Sequence, residues 1–211
     1  MATLVDYALT TLSDVKESLG INSGDTSKDN LIIRKINQAT HMIESFCNLS
    51  LNHHFKEATY TNEVFDGSGD QVVLRMSPVS AVASFQYRDT LGNTDDFDDV
   101  EAELYYIDGN AGTLDGLFTQ RRTWSQYRAT YTAGYATIPA DLAEACVTLA
   151  SYFVENGTSG SAIKRKREGQ REIEYFSPSG SSSGASGSDS VVEALGLDDV
   201  LNRYIRYTLG E

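Results

Sequence analysis

The apolar residues of this chain change their spacing twice, and few folds tolerate that. Up to about residue 50 they recur every three or four positions, from about 52 to 132 every second position, and from 139 to about 156 every three or four again. A period near 3.6 buries one side of a helix, whereas a period of 2 buries one face of a strand. A strand-forming block set between two helical blocks predicts an α+β fold, a small helical bundle interrupted by an antiparallel β insertion.

The helical signals are local and specific. Thr11 with Asp14 reads as a capping box that opens a short helix near 11–20, stopped by Gly20. Thr26 with Asp29 reads as a second box ahead of a helix near 27–47. There Ile32, Ile36, Ala39, Ile43 and Phe46 make one buried stripe, while Arg34, Lys35, Gln38 and His41 are expected to face water. Leu142, Cys146, Leu149 and Phe153 step by four, three and four along a helix near 139–156 with Pro139 in its first turn. Ala143, Ala145 and Ala150 are small enough to pack closely on the earlier helix.

In the β block, Val72, Leu74 and Met76 alternate onto one face, and Pro78 ends that strand or marks an edge. Ala83, Phe85 and Tyr87 share a face of the next strand, which leads to a turn at Gly92 and Asn93. Asp108, Gly109 and Gly112 mark a hairpin. Residues 66–70 read as a glycine-rich hairpin turn rather than a calcium loop, because the EF-hand pattern needs a Glu where Ser77 stands. Gly134 then releases the last strand, and the stretch 131–145 reads as a structural joint into the third helix.

The chain therefore divides into a helical core (1–51 and 133–176), a β insertion (52–132), a Gly/Ser linker (177–190) and a helical tail (191–211). The tail carries Leu197, Val200, Leu201, Tyr204, Ile205 and Leu209, an apolar set that wants a partner. That partner is a second protein, a neighbouring copy or the chain's own body. Ahead of the linker lies a basic cluster, Lys164, Arg165, Lys166, Arg167 and Arg171, which suits either an acidic protein surface or nucleic acid.

Charge and motif content narrow the function. With 30 acidic against 17 basic residues the formal charge is −13, which opposes a role in gripping phosphate backbones and implies only loose contact with DNA. Cys47 and Cys146 sit among apolar residues on helices, as buried thiols rather than a disulfide framework or a zinc site. No segment reads as a membrane span or a secretion signal, so the chain is expected to be a soluble product of the cytoplasm. The sequons at Asn48 and Asn156 then read as chance matches. His41, His53 and His54 do not converge in sequence and read as surface histidines. The acidic run Asp95, Asp96, Asp98, Asp99, Glu101 and Glu103 reads as a solvated loop, with a divalent-ion site as the alternative. No nucleophile elbow, Walker loop or dinucleotide fingerprint is present, so no catalytic residue, metal ligand or cofactor is assigned. A carboxylate-based hydrolase built on the acidic run is the weakest alternative.

Four stretches in fixed order resemble the head-to-tail connector, or adaptor, proteins of tailed bacteriophages and gene transfer particles: "TLSDVKESLGI" with "DNLIIRKINQATHMIESFCN", then "LRMSPVSAVASFQYRDTLGN", then "YTAGYATIPADLAEACVTLASYFVEN", and last "GSAIKRKREGQREIEYFS". The likeness covers about residues 9–176; the long linker and the helix after Ser190 depart from it. It implies a non-enzymatic virion protein of the neck, between capsid and tail. Such a protein forms a homo-oligomeric ring of about twelve copies that docks on the portal protein. The ring extends the DNA channel, with roles in DNA packaging and ejection, and meets a downstream neck or tail protein. By the same resemblance the tail residues grip the portal or the adjacent subunit, the basic cluster serves contacts between subunits, and the acidic run faces the channel or a partner. The competing expectation is a DNA-binding packaging accessory that uses the basic segment 164–171.

Overall fold

A computed structural model describes residues 2–50, 52–67, 71–88, 97–116, 125–156, 165–168, 171–174 and 187–206. Along the chain the elements are α1 (Leu12–Ser18), α2 (Asp29–Phe46), β1 (Ala58–Gly67), β2 (Gln71–Val73), β3 (Val79–Arg88), β4 (Asp98–Asp99), β5 (Tyr105–Asp108), β6 (Thr113–Gly116), β7 (Ser125–Ala133), α3 (Ala140–Asn156), β8 (Arg165–Glu168), β9 (Arg171–Glu174), α4 (Gly187–Ala194) and α5 (Asp198–Leu201). The fold is α+β. It resolves into a helical unit, Met1–Asn52 with Ile138–Glu211, and a β unit, His53–Thr137.

In the helical unit the expected capping box at α1 is formed: Asp14 N donates to Thr11 Oγ1 at 3.3 Å and Thr11 N donates to Asp14 Oδ2 at 3.2 Å. At the other end Gly20, with φ +65°, lets the amides of Gly20 and Ile21 turn back onto the carbonyls of Glu17 and Lys16. The box expected at Thr26 is absent. Lys28 stands at the N-cap of α2 without a side-chain bond, and the Asp29 carboxylate instead meets Lys16 Nζ of α1 at 2.6 Å. An ion pair between helices has taken the group that would have closed the cap. Helix α2 ends as α1 does, with Asn48 at φ +60° and the amides of Asn48 and Leu49 bonded to Ser45 and Glu44 carbonyls. The sequon asparagine is a helix stop.

Ile32, Ile36, Ala39 and Ile43 of α2 and Leu142, Cys146, Leu149 and Phe153 of α3 are all buried, and the two helices pack together. Ala145 and Ala150 are buried as well, and Thr40 Oγ1 of α2 lies 3.7 Å from Cys146 Sγ. Pro139 sits one residue earlier than expected, its carbonyl accepting from Ala143 N at 2.9 Å. The polar side of α2 is not simply wet. Lys35 is only 6% exposed, its Nζ 6.0 Å from the centre of the Phe153 ring, and burial holds its pKa below the usual lysine range. Residues 2–9 run along another side of α2: Ala2 N and Val5 N donate to the amide oxygens of Asn30 and Asn37, Asn37 Nδ2 returns a bond to Thr3 O, and Tyr7 Oη lies 3.1 Å from His41 Nε2. A polar ladder laces the first residues onto a face expected to meet solvent.

The β unit holds two antiparallel sheets, one ordered β1-β7-β3-β4 and one ordered β2-β6-β5. Val72, Leu74 and Met76 are buried as expected, and Pro78, following a cis peptide, separates β2 from β3. Residues 66–70 do not join a hairpin, since β1 pairs with β7 and β2 with β6; the stretch carries the chain from one sheet to the other. The turn at 109–112 is the expected hairpin between β5 and β6, with Asp108 Oδ1 accepting from the amides of Asn110 and Ala111. Gly112 supplies the positive φ. Gly109 is required by close approach instead, since a Cβ there would meet Val79 O at 2.6 Å.

Strand β7 is the spine of the larger sheet, and its neighbours bulge against it. On β3 the pairing slips between Val79 and Ala81 and between Val82 and Ser84, and on β1 between Tyr60 and Glu63, where Asn62 takes φ +56° and donates to Thr130 Oγ1 at 3.1 Å. Each bulge inverts the alternation beyond it. This explains why Ala83 is exposed although Phe85 is buried beneath it. It also explains how Tyr60 and Phe65, an odd number of residues apart, are both buried.

Candidate functional site

The inversion on β1 turns a carboxylate inward. Glu63 stands opposite Ala129, a residue with no exposed surface, and is held between two donors: His53 Nε2 at 2.7 Å from Oε1 and Tyr131 Oη at 2.6 Å from Oε2. Tyr60 stacks on His53 with ring centres 4.9 Å apart and lies 5.4 Å from Tyr131. Burial by itself would raise the Glu63 pKa. The hydrogen bonds from His53 and Tyr131, with the charges of His53 and Arg75, outweigh it and hold the carboxyl below the usual range. Burial and the Glu63 carboxylate push the Tyr131 phenol far above its ordinary value. His53, read from sequence as a surface residue, is 5% exposed. With Tyr131 sealed and its phenol made harder to ionise, this cluster offers no activated nucleophile to a substrate. It fixes the start of the β unit to β1 and β7.

The tail is seated on the helical unit. Helix α4 begins at Gly187, inside the stretch read as linker, and stops at Gly196, where the amides of Gly196 and Leu197 return to Glu193 and Val192. Beyond it Leu201 is fully buried and Leu197 nearly so, while Val200, Tyr204 and Ile205 are half-buried; Leu209 lies outside the described residues. Four polar contacts lock the seat's two sides: Leu201 O accepts from Cys47 Sγ at 3.6 Å, Cys47 O accepts from Arg206 N at 3.0 Å, and Tyr204 Oη donates to Asp141 Oδ1 at 2.6 Å, while α4 lies against α2. Val192, unexposed, belongs to the same seat and was masked in the sequence by the Gly/Ser run before it.

Of the basic cluster, Lys164 lies outside the described residues. The others fall on a two-stranded hairpin whose register places Arg165 opposite Glu174, Arg167 opposite Glu172 and Arg171 opposite Glu168. Three of its four cross-strand positions therefore pair opposite charges, the arrangement that steadies an exposed hairpin. Only Lys166, opposite Ile173, has no acidic counterpart in register.

Asp95 and Asp96 of the acidic run also lie outside the described residues. Asp98 and Asp99 form the edge strand β4, not a loop, pairing with Tyr87 and Gln86; Glu101 and Glu103 follow at a short 3-10 turn, and all four side chains are exposed. Asp99 Oδ1 accepts from Gln86 Nε2 at 2.7 Å. Among the described residues no group of three or more His, Cys, Asp or Glu is placed to hold a metal ion, and no helix is long and apolar enough to cross a membrane.

Two solved structures share this fold. The chain is similar to a chain in the neck of an empty gene transfer agent particle computed with C6 symmetry, at 18% identity and a TM-score of 0.57. It is also similar to a chain in the virion of a native gene transfer agent particle, at 19% identity and a TM-score of 0.52. In both cases 99% of this chain and 96% of the other are covered. No curated protein sequence matches. The head completion protein profile matches residues 8–164, which takes in both long helices, the whole β unit and the joint between 131 and 145; by that extent the chain belongs to the head completion protein family.

Proposed function

We propose that this chain is a structural protein of the virion neck, a ring-forming head-to-tail adaptor that docks on the portal and extends the DNA channel toward the tail. The observation that carries the reading is the family match over residues 8–164. The fold shared with the neck and virion chains of gene transfer agents supports it. So does a formal charge of −13, which lets DNA pass without being held. The chain performs no chemistry in this role. Its partners are further copies of itself, about twelve in a ring, the portal, and a downstream neck or tail protein.

The opposing charges in the β8–β9 register support a contact role for Arg165, Lys166, Arg167 and Arg171 between proteins over a DNA-gripping one. If the tail residues Leu197, Val200, Leu201, Tyr204, Ile205 and Leu209 grip the portal or a neighbour, the segment must first leave the seat in which Leu201 is buried. The test is the native mass of portal rings mixed with the purified chain. Portal complexes gaining about twelve copies are expected; free chain beside an unaltered portal overturns the reading.

A further inference from the structure

The outer face of the four-stranded sheet carries a cluster that the β unit does not need for its own core. Arg88 and Arg128 share one aromatic ring, that of Phe97, with guanidinium carbons 4.8 and 4.2 Å from its centre. Both are anchored by neutral acceptors: Arg88 donates through Nε and Nη2 to Gln126 Oε1, and Arg128 donates through Nε to Gln86 Oε1 at 2.9 Å. Asp99, which could have neutralised Arg128, accepts from Gln86 instead. The register explains the arrangement, since Val64, Arg128, Gln86 and Asp99 stand in one row across the sheet and Gln126 and Arg88 in the next.

Two like charges packed against one ring repel each other, and glutamine oxygens do not cancel them. What the ring and the amides supply is orientation: each planar fork is held by its Nε edge and by stacking, which reduces the entropy lost when a carboxylate binds. For Arg128 the two terminal nitrogens have no hydrogen-bond acceptor among the described residues. Beside it in the same row Val64 is 39% exposed, an apolar contact next to a directed cation pair. Arginine and aromatic groups set among polar neighbours are the composition of protein contacts.

We infer that the outer face of this sheet, centred on Arg128, Arg88 and Phe97, is a docking surface for a carboxylate-bearing surface of a second copy of this chain. Charge complementarity identifies the occupant. Copies with 30 acidic and 17 basic residues repel when they approach at random, so a stable contact between them must set a cation cluster of one against acid of the next. This inference rests on the reading that the chain assembles in several copies, and it is tested without the portal.

The experiment mixes isotope-labelled and unlabelled copies of Arg128→Lys, which keeps the charge and supplies an amine that a zero-length carbodiimide couples to a neighbouring carboxyl. Peptides linking position 128 of a labelled copy to an Asp or Glu of an unlabelled one are expected. Links confined to single copies overturn the inference. In parallel, sedimentation compares self-association of the unaltered chain, Arg88→Lys/Arg128→Lys and Arg88→Gln/Arg128→Gln. The lysine pair should associate within a few-fold of the unaltered chain, and the glutamine pair at least about tenfold more weakly. Equal association of all three, or an unaltered chain that stays single at every concentration, overturns it, as does protection of both arginines by duplex DNA but not by added protein. If copies never self-associate yet portal rings still gain them, this surface is refuted while the adaptor reading stands.

Discussion

Glu63 shows how one side chain ties a β unit to pH. Its pKa is lowered in the native state, so its contribution is fully present above the ordinary carboxylate value, about 4.3. The contribution drains away as pH falls through the lowered native value. Glu63→Gln should cost about 1–3 kcal/mol at neutral pH, because two donors lose their charged acceptor. It should also flatten the acid limb of stability; denaturant melts of both proteins between neutral and acidic pH check this, and parallel acid limbs would contradict it. Glycines give a second contrast at this scale. Gly20 and Gly134 both have positive φ, but a Cβ at Gly20 meets nothing within 4 Å, whereas one at Gly134 meets Lys56 O at 2.8 Å and Glu57 backbone at 2.9 Å. Gly20→Ala should cost about 1 kcal/mol from conformation alone. Gly134→Ala should cost at least about 2 kcal/mol more, since backbone must move, and thermal unfolding of the pair measures the difference.

Among the elements, the tail and the helix it rests on have a chemical reporter. Burial pushes the Cys47 thiol up to about 12, and its Sγ donates to Leu201 O, so it should be inert to aromatic disulfide reagents in the native chain. Leu201→Ala opens the seat at a cost of about 2–5 kcal/mol. Both this change and removal of residues 191–211 should make Cys47 react at least about tenfold faster while Cys146, buried between α2 and α3, stays silent. The same reagent applied during portal docking reports on the tail: a Cys47 that becomes reactive means that the tail has left its seat, and one that stays inert means that docking uses another surface. Both long helices were legible in sequence because their apolar stripes have a single period. The missing cap at Thr26 was not, because only the fold brings Lys16 within 2.6 Å of Asp29. For the same reason Lys35 read as solvated: its burial depends on Phe153, more than a hundred residues away.

At the scale of the molecule, membership of the head completion family and an acidic surface point to a part that works by position rather than by reaction. A ring built from such chains has to overcome the repulsion of its own subunits, so its assembly should strengthen as salt screens the net charge and weaken again as salt screens the specific pairs. The seated tail limits how it can be used. An apolar segment already buried in its own subunit can serve a partner only at the cost of the contacts it leaves, which makes docking an exchange rather than a simple addition.

The sequence by itself determined the α+β class, the three main helices, the hairpin at 109–112 and the family resemblance, because each is written in residues close together along the chain: a period, a cap, a turn glycine, an ordered set of motifs. The tertiary structure alone decided which polar residues are buried. His53, Glu63 and Lys35 carry no local mark of burial, and the bulges that turn Glu63 inward arise from the fit of β1 and β3 against β7. It alone decided, too, that the tail has a seat and that Arg88 and Arg128 meet over one phenylalanine. Periodicity reports the environment of an average residue on a regular element. A bulge, an ion pair between helices or a docked segment depends on partners distant in sequence, and only the folded chain supplies them.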